Sequence, residues 1–292
     1  MREFDYHPAS TTAEALDLLQ RYGDDGHAMA GGASLLLMMQ QGLITAGHII
    51  GLRGIQELRG IGTLQNGGIE IRALTTHRQA ERSADVHSYC PTLAENFSRV
   101  ATIRIRNQGT VGGNLVHADP AQDPPPMLMA LDGEAVIASK NGQRTVPLDG
   151  FFRDFFETVV GDGELLTAIR LPPIAEGTKA TYIKFLPRTE DDYATVSVAA
   201  TLRVGADNLC QDVRVALGSA APVPLRAKRV EEALRGQRLT DELINSAAEL
   251  VRDEVDPISD VRGSANYKRE MARVWVGRAL RSLLIGDERN GR

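Results

Sequence analysis

The stretch Ile105-Arg106-Asn107-Gln108-Gly109-Thr110-Val111-Gly112-Gly113-Asn114-Leu115-Val116-His117-Ala118-Asp119-Pro120-Ala121-Gln122-Asp123 carries more information than any other part of this chain. It places a Gly-Gly pair after a threonine, then an asparagine, a histidine and two aspartates. Glycine lets the backbone approach a ligand closely and adopt positive φ. A short polar side chain beside it completes a set of donors around a phosphate. A segment with so few bulky residues makes a poor core, and it reads as a ligand-wrapping loop. Pro124-Pro125-Pro126 end that loop rigidly, because each proline fixes φ and no helix runs back through them.

Upstream, Thr11 and Glu14 stand in capping-box spacing, Ala15, Leu19 and Tyr22 share a face, and Gly23 closes the predicted first helix. The apolar piece His27 to Ala30 runs into Gly31-Gly32-Ala33-Ser34 and then Leu35 to Met39, a strand, glycine turn and helix in succession. Further strands are expected near His48 to Leu52 and at Gly68 to Leu74, where apolar residues alternate with polar ones. Pro91 opens a helix whose Leu93, Phe97 and Val100 form one stripe. Downstream of the prolines, Met127 to Leu131, Ala135 to Ala138 and Leu165 to Ile169 return to the core.

Pro172-Pro173 and the run Ala175 to Lys179 mark a boundary. Beyond it, strands are expected at Ala180–Pro187, Tyr193–Val204 and Val213–Gly218, followed by helices that include Ala227–Leu234 and Tyr267–Leu284. Strands and then helices predict a small α+β unit.

The bulk numbers exclude several classes of function. The 292 residues bury a substantial core, and 42% hydrophobic with 24% charged residues is ordinary for a globular protein. A net charge of −5 argues against nucleic acid as the main partner. No apolar run approaches the ~20 residues that span a bilayer, and the amino terminus lacks a signal peptide's apolar stretch, so a cytoplasmic protein is expected. Cys90 and Cys210 read as buried free thiols and cannot by themselves supply a four-cysteine cluster or zinc site.

Neither Gly31-Gly32 nor Gly112-Gly113 matches Gly-x-Gly-x-x-Gly, and no P-loop pattern exists, so dinucleotide-fold and P-loop readings fail. Two such turns, each following an apolar strand-like piece, could together grip the two phosphates of a dinucleotide. A single Gly-Gly is an ordinary turn. His117 reads equally as a surface loop residue, Asp119 and Asp123 as turn formers, Lys184 as a solvated strand charge and Tyr193 as a core-edge aromatic.

Ala30-Gly31-Gly32-Ala33-Ser34 and Thr110-Val111-Gly112-Gly113-Asn114 resemble the two flavin-binding signatures of the medium, FAD-binding subunit of molybdenum hydroxylases, the carbon monoxide dehydrogenase and xanthine dehydrogenase group. His117-Ala118-Asp119-Pro120 with Asp123, Arg104 and Arg106-Asn107 upstream, and Lys184 with Arg188-x-x-Asp191-Asp192-Tyr193 downstream extend the likeness. Ala221-Pro222, Pro224-x-Arg226-Ala227 and Tyr267-Lys268-Arg269 carry it into the closing domain, so it covers almost the whole chain in order.

The resemblance implies an α+β fold: a two-subdomain PCMH-type FAD-binding domain over 1–176 (subdomains about 1–55 and 56–176), then an α+β domain over 177–286 with a three-stranded antiparallel sheet and helices, and a flexible tail at 287–292. It implies FAD as cofactor. Ala30, Gly31, Gly32, Ala33, Ser34 and Leu35 would wrap the pyrophosphate and ribityl chain. Thr110, Gly113 and Asn114 would hold the cofactor from the other side, with His117 and Asp123 bonding phosphate or ribityl hydroxyls. Leu165 or Leu166 and Lys184 would contact the flavin, and Tyr193 would lie beside its ring, where an aromatic side chain packs well.

It further implies an oxidoreductase subunit that passes electrons from the 2Fe–2S clusters of a small partner subunit to an external acceptor. Those electrons would originate at a large molybdenum-cofactor subunit, in an (αβγ)2 assembly. No catalytic or metal-ligating residue is assigned to this chain. The alternative is a self-contained flavin oxidoreductase with its own substrate pocket. Two features depart from the family pattern: the proline triplet is heavier than usual, and the extra cysteines that give some relatives an added cluster are missing.

Overall fold

The computed structural model describes residues 3–186, 189 and 191–284. Strands β1 (Asp5–Pro8), β2 (Gly26–Met29) and β3 (His48–Gly51) form a small parallel sheet in the order β1-β3-β2. Parallel neighbours need crossovers, supplied here by helices α1 (Thr12–Tyr22) and α2 (Leu35–Gln40). Helix α1 starts where its sequence says it should. The Thr11 hydroxyl accepts from the Glu14 amide at 3.1 Å, and Gly23 closes the helix at φ +50°. The Glu14 carboxylate reaches back one residue further than a capping box requires, to the Ser10 amide at 2.8 Å. Ala15, Leu16 and Leu19 are buried against this sheet's core.

The second sheet is antiparallel. Its strands are β4 (Ile61–Thr63), β5 (Ile69–Arg72), β6 (Glu134–Ser139) and β7 (Gly142–Pro147), and β10 (Leu165–Leu171) enters after a two-stranded hairpin of β8 (Phe152–Asp154) and β9 (Glu157–Thr158). The order is β4-β5-β10-β6-β7. Between β5 and β6 the chain makes six short helices: α3 (His77–Arg82), α4 (Ala84–Tyr89), α5 (Pro91–Ser98), α6 (Ile103–Gln108), α7 (Val111–His117) and α8 (Pro124–Ala130). Leu93, Phe97, Val111, Leu115, Met127 and Leu128 pack with Ile71, Ile137 and Ile169 in the largest core cluster.

Two expectations change here. The segment 105–123 is not one loop, because α7 and most of α6 lie inside it. Thr102 and Thr110 cap these helices, accepting from the Ile105 amide at 3.4 Å and the Gly113 amide at 3.1 Å. Only Val111 and Leu115 mark the inward face of α7, too short a run for helical periodicity to register. The proline triplet does not bar a helix either: it begins one. The first amides of a helix have no intrahelical acceptor, so the three prolines that open α8 forfeit no hydrogen bond there.

The third sheet contains β11 (Lys179–Phe185), β12 (Val196–Val204), β13 (Cys210–Gly218) and β14 (Leu225–Arg226), antiparallel in that order. Among the described residues it has four strands rather than the expected three. Strand β14 is two residues long and lies just after Pro222 and Pro224, so it presents no alternating pattern to read. Strand β12 likewise begins at Val196 rather than Tyr193.

Residues of this sheet are apolar on both faces because both are covered. Val196, Val198, Leu202, Val213 and Val215 face helices α9 (Lys228–Leu234), α10 (Asp241–Leu250) and α11 (Ala265–Leu284). Ala199 and Ala216 join the central cluster beside α8. Thr201 donates to the Ala130 carbonyl at 3.2 Å, and the Ser219 amide donates to that of Pro120 at 2.8 Å. Arg226 reaches Glu231 at 2.6 Å and Asp132 at 3.0 Å, tying β14 to the turn after α8. Cys90 and Cys210 are buried and free, as expected. No described helix is long and apolar enough to cross a membrane. The expected tail at 287–292 and Arg188 lie outside the described residues.

Candidate functional site

The two glycine turns meet. Residues 30–35 form the half-buried link from β2 to α2, and α7 begins directly against it. The Gln108 side chain donates to the Gly31 carbonyl at 2.8 Å. A Cβ on Gly31 would lie 2.1 Å from the Gln108 carbonyl oxygen, so only glycine permits this approach. Gly32 supplies the bend, with φ +78°, before its carbonyl accepts the Leu36 amide at 3.2 Å. Gly112 is likewise a packing glycine, since an added Cβ would sit 2.5 Å from Ala73 Cβ. Gly113 differs: it is exposed, and its missing Cβ would lie 2.8 Å from Thr110 Oγ1 and 3.7 Å from Ala30 Cβ. It therefore looks across the seam toward the first turn.

One polar atom at this seam has no protein partner. Asn114 Oδ1 is buried without a hydrogen bond. A buried acceptor left unsatisfied costs roughly 1–3 kcal/mol, so a donor supplied from outside the chain fits here. The donor set around the seam consists of backbone amides, a threonine hydroxyl and an asparagine amide, and suits the phosphates and hydroxyls of a dinucleotide.

The rim beyond α7 is built by residues 117–123. Ala118 ends the helix in the left-handed region at φ 53°. His117 is half-buried, its ring 5.2 Å from that of Phe156. Burial pushes its pKa below the usual imidazole value, against the opposing pull of Asp119. Asp119 accepts the Ala121 amide at 2.9 Å, and its charge bears on the Tyr193 hydroxyl. Burial first, then Asp119 and Asp123, push the Tyr193 pKa up to about 12. The Arg262 guanidinium lies 5.4 Å from the Tyr193 ring centroid. Tyr193 is thus 40% exposed at the rim, held by one partner from each side.

Asp123 and Lys184 are brought together, but with each other. Lys184 Nζ lies 3.0 Å from Asp123 Oδ2 and donates to the Arg99 carbonyl at 2.8 Å. Tyr182 donates to Asp123 Oδ1 at 2.6 Å, and Asn96 donates to the Asp123 carbonyl at 2.9 Å. Burial raises the Asp123 pKa, while Lys184 pulls it down. Burial and Asp123 together raise the Tyr182 hydroxyl well above its ordinary range. This network joins β11 to the segment leading into α8.

Leu166 sits in the central core at 5% exposure, and Leu165 packs against the first sheet's cluster. Arg106 is also structural, pairing with Glu81 at 3.1 Å and donating to the Val100 and Ala101 carbonyls. Sequence reasoning passed over Gln108, Tyr182, Asn96 and Arg262. Only Tyr182 left a signal: it sits two residues before Lys184, on the same face of a strand.

Family models match nearly the whole chain. That for the FAD binding domain in molybdopterin dehydrogenase covers residues 2–174, and that for the CO dehydrogenase flavoprotein C-terminal domain covers 181–283. The chain belongs to the FAD-binding medium subunits of the molybdenum hydroxylases. It is 36% identical to the carbon monoxide dehydrogenase medium chain of Hydrogenophaga pseudoflava over 277 residues, 95% of this chain and 96% of that one. It is 33% identical to the glyceraldehyde dehydrogenase medium chain of Sulfolobus acidocaldarius over 281 residues, 96% of this chain and 98% of that one. The medium subunit's fold superposes on a chain of the Hydrogenophaga pseudoflava carbon monoxide dehydrogenase lacking the Mo-pyranopterin moiety, with a TM-score of 0.93 over 97% of this chain and 98% of that one, at 36% identity. The medium subunit is an oxidoreductase component whose cofactor is FAD.

Proposed function

We propose that this medium subunit holds FAD along the seam between the 30–35 turn and α7, and relays electrons from the 2Fe–2S clusters of a small partner subunit to an external acceptor. A large subunit bearing the molybdenum cofactor would generate those electrons, in an (αβγ)2 assembly. The observation that carries the reading is the seam itself: the 30–35 glycine turn against the glycine-bearing start of α7, with an unpartnered buried Asn114 Oδ1 beside an exposed Gly113. When bound, FAD supplies the exchange of electrons both singly and in pairs.

The chain's own residues bind and orient. Ala30, Gly31, Gly32, Ala33, Ser34 and Leu35 form one wall; Thr110, Gly113 and Asn114 form the other. Asn114 Oδ1 accepts a hydrogen bond from the cofactor. His117, with its pKa lowered by burial, serves as a neutral hydrogen-bonding group at the end of α7. Asp123 and Lys184 act through position: their ion pair fixes the rim that carries Asp119 and, through it, Tyr193. We assign Leu166 to the packing that supports this wall rather than to ligand contact.

A division into 1–176 and 177–286 is supported by the gap between the two matched models, which end at residue 174 and begin at residue 181. Relatives named for carbon monoxide and for glyceraldehyde share this layout end to end, which supports substrate choice on another subunit. The unpaired cysteines agree with a reducing, cytoplasmic setting.

The test is co-expression with candidate small and large subunits. Flavin that is reduced by the complex's substrate only when both partners are present supports the relay. Reduction of the isolated subunit by a small molecule would establish a self-contained oxidoreductase instead.

A further inference from the structure

On the parallel sheet whose β2 leads into the first glycine turn, β1 and β3 carry a second constellation. In β1, Asp5 and His7 alternate onto one face, and the register pairs Asp5 with His48 of β3. His7 Nε2 lies 3.1 Å from His48 Nδ1, and His48 Nδ1 lies 3.7 Å from Asp5 Oδ2. One donor atom from each of the three residues falls within 4.8 Å of the others. From this geometry we propose that Asp5, His7 and His48 form a transition-metal site of the zinc class, with water completing the coordination.

The ring geometry supports this. Two imidazole nitrogens in contact need a proton or a cation between them, since two lone pairs repel. Ligands on a tetrahedral zinc at about 2.0–2.1 Å stand roughly 3.3 Å apart, close to the 3.1 Å between the two histidines. The Asp5 carboxylate must swing in toward both rings, from 3.7 Å at His48 and within 4.8 Å of His7, and its side chain is 77% exposed. Both rings are held in place before any metal arrives. The Tyr22 ring of α1 stacks on His48 with centroids 3.8 Å apart and on His7 at 4.8 Å, with interplanar angles of 21° and 25°. Fixed rings reduce the ordering cost of binding.

The donor types choose the metal. Two imidazoles and one carboxylate suit zinc and its divalent neighbours, whereas calcium and magnesium take oxygen ligands. Such a metal would cross-link β1 to β3, the central strand that also carries β2, and so would clamp the start of the chain to the sheet that leads into residues 30–35.

The experiment uses the full-length, untagged, flavin-loaded protein, stripped with a chelator and titrated with Zn²⁺ by calorimetry, with Co²⁺ as a spectroscopic probe. The expected result is one equivalent of Zn²⁺ per chain and a visible Co²⁺ spectrum of tetrahedral intensity. His7→Gln and His48→Gln should each weaken binding at least tenfold, and Asp5→Asn several-fold, with flavin content unchanged in all three. Zn²⁺ should raise the thermal midpoint of the parent protein and not that of His48→Gln. Failure to bind Zn²⁺ stoichiometrically would show that the pair is a simple histidine–histidine hydrogen bond and overturn the proposal. Binding that survives all three substitutions would place the metal elsewhere and overturn it equally.

Discussion

At the residue scale, four glycines that look alike in sequence do different work. Gly31 and Gly112 are needed because backbone or side-chain atoms already occupy the place of their Cβ, and Gly32 because its φ is positive. Gly113 is exposed: an added Cβ would press on its own cap hydroxyl, Thr110 Oγ1, at 2.8 Å, with Ala30 of the first turn beyond it at 3.7 Å. Gly113→Val should therefore remove the visible flavin absorption while leaving the far-ultraviolet circular dichroism intact; a variant that keeps its full flavin complement would exclude the seam as the binding site. Asn114→Ala should weaken FAD retention by about tenfold, since a hydrogen bond of 1–1.5 kcal/mol corresponds roughly to that factor. Lys184→Met should behave differently. It strips the cation from a carboxylate that is only 4% exposed, and breaking a buried pair by removing one partner costs about 3–5 kcal/mol. Urea unfolding should show that loss. Adding Asp123→Asn should restore part of it, because the uncompensated charge is then gone.

At the scale of one element, helix α3 carries a pH dependence. It opens with a capping box in which Thr76 and Gln79 serve each other's backbone amides, and its first residue, His77, is buried against Phe97. Burial, with a smaller contribution from Arg106, lowers the His77 pKa from 6.5 to about 4. The folded state therefore holds His77 neutral where the unfolded chain would protonate it. The resulting stability is fully present above pH 6.5 and is lost as the pH falls toward 4. Its full size is about 3 kcal/mol, from 1.36 kcal/mol per pKa unit. His77→Gln should flatten the dependence of unfolding free energy on pH across that window. An unchanged acid slope would show that His77 does not control it. Since His77 donates its amide to the Gly109 carbonyl just before Thr110, acid should also release flavin before global unfolding.

At the scale of the whole molecule, α8 is the joint between the central sheet and the four-stranded sheet. All seven of its residues are buried. Gly218 of β13 faces it so closely that an added Cβ would lie 2.9 Å from Pro126 and 2.6 Å from Ser197. Gly218→Val should force the third sheet off α8, costing about 1–3 kcal/mol as overpacking does. An increase in binding of a hydrophobic dye, with concurrent loss of flavin, would register the separation; unchanged dye binding and flavin content would show that the joint tolerates the methyl groups.

Much of this architecture was legible in the chain. Thr11 and Gly23 bounded α1, Pro91 opened α5, and Tyr193–Val204 read as a strand, which the structure forms from Val196. These signals are local, carried by caps, fixed φ values and periodicity within a few residues. Paired glycine turns with their polar neighbours also pointed to the cofactor. What stayed hidden depends on residues far apart in sequence. The proline triplet can begin a helix because helix-start amides need no acceptor, but the burial that holds it there comes from segments far away in sequence. Asp123 meets Tyr182 and Lys184 across about sixty residues, and His7 meets His48 across forty-one. Sequence by itself determined which groups were available and where well-capped or strongly periodic elements such as α1 and α5 would form. Tertiary structure alone decided which charges neutralise one another, which acceptor is left open at the seam, and which histidines share a face. Those outcomes depend on burial and distance, and neither exists until the chain has folded.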